Sequence, residues 1–205
     1  QSSFQKDSKG LEIRIKKIFD ILISLCLIII TLPIIVLAAL MIKVEDGGPI
    51  FYSQVRSGFK SINFRIYKLR SMHIKAELDG AQWAKAKDNR ITKIGYLIRK
   101  TRIDELPQLF NVLIGDMSIV GPRPHAVDHN EYYRKKITGY MQRHSCKPGI
   151  TGLAQIKGHR GNTESIEKMQ KRIDADLQYL SNWTISGDFK ILIKTIIHLL
   201  TNKAY

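Results

Sequence analysis

With 33 Lys+Arg against 18 Asp+Glu, the 205-residue chain carries a formal net charge of +15 at the length of one ordinary domain, which calls for an anionic partner: nucleic acid, lipid headgroups or phosphorylated substrates. A content of 44% hydrophobic and 25% charged residues excludes a wholly disordered chain. Two cysteines, Cys26 and Cys146, exclude a disulfide framework and a four-thiolate zinc site and point to a reducing compartment.

After a basic flank over residues 1–15, residues 21–42 run without one charged side chain. A straight helix of that length reaches about 33 Å, against about 30 Å for a hydrocarbon core. The stretch is too long for the apolar part of a signal peptide, and no small-x-small site precedes Lys43, so it is expected to stay in the mature protein. Pro33 lies at its middle, where it removes a backbone donor and presses on the carbonyl of Ile29, predicting a bend or break. Lys16 and Lys17 precede the segment, and Lys43, Arg56 and Lys60 follow it. A span would place one basic flank on the wrong side, whereas a hairpin re-entering by the same face satisfies both. Kinked spans also exist, so the residues themselves leave both readings open.

Residues 50–55 and 63–70 read as two strands joined around Gly58. Residues 76–88 are polar and read as a loop or short helix, and Ile94 to Ile98 begin a helical pattern. Asp104 reads as the cap of a helix running to Leu113 with Pro107 in its first turn. The helix dipole and the cations Arg90, Arg99, Lys100 and Arg102 would then hold Asp104 and Glu105 ionised. Two prolines make Gly121-Pro122-Arg123-Pro124 a stiff loop, and a fixed guanidinium there suits phosphate. Lys147 to Gly152 form a second tight loop. Ile166, Met169, Ile173, Leu177 and Leu180 mark an amphipathic helix. Lys190, Lys194 and His198 stripe a last, otherwise apolar helix over 188–200, fit for a membrane interface or for docking on a core.

Adjacent acids alone carry no signal: 18 of them give about 1.5 neighbouring pairs by chance, and the chain has two, Glu45-Asp46 and Asp104-Glu105. Placement singles out the second pair. No P-loop and no G-x-G-x-x-G occurs, and His125 with His129 lacks a third nitrogen or thiolate for zinc. The charge leaves a membrane-tethered nucleic-acid binder as a rival reading, without a recognised motif.

Taken in order, the Pro-interrupted segment, Tyr67-Lys68-Leu69-Arg70-Ser71-Met72, Asp104-Glu105-Leu106-Pro107-Gln108-Leu109-Phe110-Asn111-Val112-Leu113, residues 115–124 and residues 148–155 resemble the bacterial sugar transferases. These are monotopic polyprenyl-phosphate phosphoglycosyl transferases, and the similarity covers nearly all of residues 16–200. Pro124-His125-Ala126-Val127, His129-Asn130-Glu131 and Gly139-Tyr140-Met141 look like the undecaprenyl-phosphate glucose phosphotransferases that start exopolysaccharides. The resemblance implies an α+β fold: a small, mostly helical cytoplasmic domain with a short β-hairpin, interfacial amphipathic helices and a re-entrant membrane helix over 18–43 broken at Pro33. It also implies one transferase domain over 16–200, at the cytoplasmic face of the bacterial inner membrane.

The implied reaction moves a hexose-1-phosphate, glucose first and galactose as the alternative, from a UDP-sugar to undecaprenyl phosphate with release of UMP, initiating exopolysaccharide, capsule or O-antigen synthesis. Nucleic acid is then no partner, while a homo-oligomer is compatible. By resemblance Asp104 is the nucleophile, Glu105 binds Mg²⁺, and Arg99 and Arg123 hold phosphate. Lys68, Arg70 and Asp176 complete the substrate-binding set. Relatives often carry Ser before the proline; here that residue is Leu32, and Thr31 is the candidate to support the carbonyl that Pro33 frees.

Overall fold

The computed structural model describes residues 2–74, 76, 88–159, 161 and 165–201; the expected loop or short helix at 76–88 therefore lies almost wholly outside the described residues. Helix α1 spans Ser2–Asp46, which extends the expected membrane helix at both ends and takes the basic flank into the same element. Pro33 lies inside it without ending it. Thr31 Oγ1 donates to the carbonyl of Leu27 at 2.6 Å and so does not support the freed Ile29 carbonyl. Asp20, Ser24, Ile28, Ile35, Ala38 and Ile42, spaced three, four or seven residues apart, share one face and are buried, whereas Ile29, Ile30, Leu37 and Leu40 are about 60% exposed or more. One stripe of the apolar helix docks on the domain along its length, and the rest stays bare.

Both ends of this segment are tied to the same domain. At the start, Lys16 Nζ donates to Val120 O at 3.1 Å and to Asp188 at 2.5 Å, and Asp20 accepts from the Ile119 amide at 3.0 Å. At the end, Glu45 accepts from the Ile94 amide at 3.1 Å, and Asp46 is held by Arg70 Nη1 at 2.7 Å and Nη2 at 2.5 Å.

Strands β1 (Phe51–Ser57) and β2 (Asn63–Leu69) form the expected antiparallel hairpin, with Phe51 opposite Leu69 and Ser57 opposite Asn63. Helix α2 (Lys93–Lys100) is capped by Thr92, whose hydroxyl accepts from the Gly95 amide at 2.8 Å. Helix α3 (Gln108–Ile114) ends at Gly115, whose φ of 93° only glycine adopts cheaply; the Asp116 amide then closes on the Asn111 carbonyl. Strands β3 (Ser118–Val120) and β4 (Gly149–Thr151) pair in parallel, flanking α4 (Val127–Tyr133) in the chain. Short α5 (Leu153–Ile156) precedes α6 (Ile166–Ser181) and α7 (Ile185–Leu200).

The central core joins α1, β2, α3, β3, α6 and α7 through Ile28, Ile66, Leu109, Val112, Ile119, Tyr179 and Ile191. Helix α7 docks on the core by one face and leaves another bare: Ile191 and Asp188 are buried, while Phe189, Ile193, Ile196 and Ile197 stay exposed beside Lys190 and Lys194. Phe189 packs on Phe19 at 4.7 Å, which joins the bare apolar faces of α7 and α1.

Asn111, wholly buried, acts as a one-residue strand on the free edge of β2: its Nδ2 donates to Arg65 O at 2.7 Å and its Oδ1 accepts from the Tyr67 amide at 3.0 Å. Truncating it leaves two backbone groups unpaired at a cost of about 1–3 kcal/mol. Asn111→Ala is therefore expected to lower the melting temperature in detergent by about 3–10 °C, as measured by circular dichroism or scanning fluorimetry.

Candidate active site

Between α2 and α3 the chain reverses at Arg102, which takes a left-handed φ of 59°, and enters a single 3-10 turn, Ile103–Glu105. Asp104 thus sits in that turn and does not cap α3, which starts at Gln108 behind Pro107. The expected dipole stabilisation of its anion is replaced by burial: Asp104 is 8% exposed, and desolvation together with the Glu105 charge pushes its pKa up to about 6. Lys68, Arg99 and Arg123 pull the other way, so the carboxylate is still ionised in most molecules at neutral pH.

Glu105 behaves oppositely, because its carboxylate has direct partners. Lys68 Nζ donates to its Oε1 at 2.8 Å, and Arg123 Nη2 donates to the same oxygen. Against its own burial, Arg123 and Lys68 hold Glu105 well below the usual carboxylate range. Glu105 in turn raises the Arg123 guanidinium. Lys68 comes from β2, Arg123 from the loop after β3, and Glu105 from the 3-10 turn, so three separated pieces of chain converge on one oxygen. Arg123 Nη1, shielded from solvent, has no hydrogen-bond partner among the described residues, which leaves a donor for an incoming oxygen. Arg99, half-buried near the end of α2, completes the cationic rim.

Two of the residues expected to contact substrate already have protein partners. Arg70 is 7% exposed and all three of its nitrogens are committed, to Pro49 O at 2.6 Å, to both oxygens of Asp46 and to Met72 O at 3.1 Å. It anchors the end of α1 to the hairpin. Asp176, 2% exposed on α6, pairs at 2.9 Å with Arg143, which the sequence reading did not single out. A signal was present: Asp176 follows Ile173 on the apolar face of its helix, where a carboxylate needs a buried cation. His125 and His129 belong to no cluster of three metal-binding side chains among the described residues. Buried His125 hydrogen-bonds Arg143 and is held well below the usual histidine range by burial and that charge.

Cys146, the one thiol near this loop, is no rival nucleophile: burial pushes its pKa up to about 12. At pH 8 the thiolate fraction is then about one in 10⁴. Iodoacetamide is expected to leave the Cys146 peptide unmodified in the native protein and to alkylate it fully after denaturation, as read by peptide mass spectrometry.

A buried carboxylate thus sits beside a second carboxylate neutralised by lysine and arginine, in a domain on which one stripe of a long apolar helix docks. The chain belongs to the bacterial sugar transferase family, whose model matches residues 11–202. It is 46% identical over 201 residues to a UDP-glucose:undecaprenyl-phosphate glucose-1-phosphate transferase of Klebsiella pneumoniae, covering 98% of this chain and 43% of that protein. It is 45% identical over 186 residues to the enzyme of that name from Caulobacter vibrioides, covering 91% and 70%. The Escherichia coli enzyme of that name is 44% identical over 195 residues, covering 95% and 42%. The chain thus spans less than half the length of two of these relatives.

Proposed function

We propose that this protein transfers a hexose-1-phosphate, glucose-1-phosphate first, from a UDP-sugar to undecaprenyl phosphate and releases UMP, initiating exopolysaccharide, capsule or O-antigen synthesis. The observation that carries the reading is the dyad: a buried carboxylate in no ion pair of its own next to one paired with Lys68 and Arg123, with Arg99 at its edge. The relatives' names supply the substrates by analogy.

In the first step a carboxylate oxygen of Asp104 attacks the sugar-bearing phosphorus, and the bond from that phosphorus to the bridging oxygen breaks, so that UMP leaves with the oxygen. In the second, an oxygen of the lipid phosphate attacks the same phosphorus and breaks its bond to Asp104, which returns as a carboxylate. No proton need move. Each step brings anions together, so Arg123, Arg99 and Lys68 offset the repulsion in a site where burial strengthens every charge.

Mg²⁺ fits this donor set in one way. Lys68 and Arg123 occupy Oε1 of Glu105, which leaves Oε2 and its neighbour Asp104 to offer the ion one or two oxygens. A small hard cation of this kind takes its other ligands from diphosphate and water. Glu105 would hold it, and it would supply further neutralisation of the diphosphate charge.

The membrane placement proposed is a re-entrant helix with both ends at the cytoplasmic face of the inner membrane. Its support is that Lys16 and Asp46, at opposite ends of the apolar stretch, both bond the same folded domain, so a straight crossing of about 30 Å would pull one of them away. Cysteine labelling that places residues 1 and 60 on opposite faces would refute it. For the reaction, membranes given radiolabelled UDP-glucose, UDP-galactose and polyprenyl phosphate should release UMP and form lipid-linked sugar. No UMP from any UDP-hexose, with salt-dependent DNA binding instead, would favour the nucleic-acid reading.

A further inference from the structure

The loop that carries Arg123 is short of its own hydrogen bonds, because Pro122 and Pro124 have no N–H. The Pro122 carbonyl is taken by the Gly149 amide at 2.9 Å. The Arg123 carbonyl accepts instead from a side chain, Nη2 of Arg143, at 2.5 Å. The other arm of that guanidinium, Nη1, lies 2.5 Å from Nδ1 of His125. A guanidinium only donates, so in this contact Nδ1 of His125 is the accepting atom. One planar fork therefore grips residue 123 by its backbone and residue 125 by its ring, which fixes the segment between them.

The fork is itself fixed. Arg143 is 2% exposed in the 3-10 turn Tyr140–Ser145, and its counter-charge, Asp176, is as deeply buried on α6. That helix is seated by Met169 and Ile173 against Tyr133, Ile137 and Tyr140. The neighbouring Arg172, whose charge also favours the Asp176 anion, spends its hydrogen bonds on His159 O at 2.9 Å and Gly161 O at 3.0 Å, so the direct ion pair of Asp176 is with Arg143. Tyr140 adds its hydroxyl, 2.6 Å from the same Nδ1 and 2.7 Å from Asn130.

We propose that Arg143, held by Asp176, is a positioning residue for the transfer reaction: it sets the backbone of Arg123 so that the guanidinium of Arg123 meets Glu105 and the substrate phosphate. The proposal rests on the transferase reading above for the role of Arg123, and it reassigns Asp176 from substrate contact to the strut behind the loop. Lysine cannot replace Arg143, because one ammonium cannot span both the carbonyl and the imidazole in a fixed plane.

Two variants test it, Arg143→Lys, which keeps the charge, and Asp176→Asn, which keeps the shape. Each is expected to lower kcat by about a hundredfold through misplacement of Arg123, with KM for the UDP-sugar changed by less than about threefold. Combined with Arg123→Ala, either should cost less than about twofold further, since its effect runs through the residue already removed. Equal fold-losses in the two backgrounds would show a merely structural role and overturn the proposal. Hydrogen–deuterium exchange over residues 119–126 should quicken in both variants while α2 and α3 keep their protection, and unchanged exchange there would also overturn it. That comparison needs no turnover, so a wild-type protein that releases no UMP sinks the transferase reading while exchange still decides the strut. Should Arg143→Lys fail to fold, Asp176→Asn carries the same two measurements.

Discussion

Asp104→Asn is expected to abolish transfer, lowering turnover by about 10⁴- to 10⁶-fold, as loss of a covalent nucleophile does elsewhere. The carboxamide has the same shape, so the 3-10 turn and the pairing of Glu105 with Lys68 and Arg123 should persist. Stability should not fall with it. The native carboxylate is pushed up to about 6 by burial and by the Glu105 charge, meaning that the fold disfavours the anion it needs; the neutral amide removes that repulsion. Membrane association should be unchanged, because the bare faces of α1 and α7 are untouched. Release of UMP, intact-mass spectra after a rapid quench and the melting temperature together check the prediction. A variant that turns over at the wild-type rate, or a wild-type enzyme whose kinetics demand both substrates bound at once with no phosphosugar adduct, would remove the nucleophile assignment.

The same turn shows how far the sequence can be read. Elements with their own periodicity were legible: the hairpin, and the amphipathic helix from Ile166, whose apolar residues fix its face. The last helix starts three residues before the expected 188, since Thr184 caps it by accepting from the Gly187 amide. The pairing of Asp104 with Glu105 was also legible, but their electrostatics were not. Asp104 reads as a helix cap from its neighbours in the chain, and only the packing of β2 and the Arg123 loop over it shows a buried anion beside a neutralised one. The partners of Arg70 and Asp176 were hidden for one shared reason. Each satisfies a charge far away in the chain, on Asp46 and Arg143, and spacing holds no information about such pairs until the fold brings them together.

The second large effect is expected from Gly149→Ala, a single methyl at the point where the two parallel strands meet the Arg123 loop. A Cβ there would lie 2.1 Å from the Gly121 nitrogen, 2.5 Å from Thr151 O and 2.6 Å from Gly121 O, all of them backbone atoms. None can rotate aside as a side-chain tip would. Relief requires β3 and β4 to separate, which breaks the bonds from the Gly121 amide to Thr151 O at 2.8 Å and from the Gly149 amide to Pro122 O at 2.9 Å. Overpacking with loss of two buried hydrogen bonds costs about 4 kcal/mol or more, a large part of a domain's stability. Gly149→Ala is therefore expected to melt at least about 10 °C lower or to fail to accumulate. Any folded fraction should lose about a hundredfold in turnover, because the loop that moves is the one presenting Arg123. Gly10→Ala is the matched control. Its new methyl meets nothing within 4 Å in the helix interior of α1, where alanine is the better residue by up to about 1 kcal/mol. A Gly149→Ala protein that melts within about 2 °C of wild type and keeps its turnover would show that β3, β4 and the loop between them are free to part, and with that the rigid presentation of Arg123 to Glu105 would be lost as an explanation of the site.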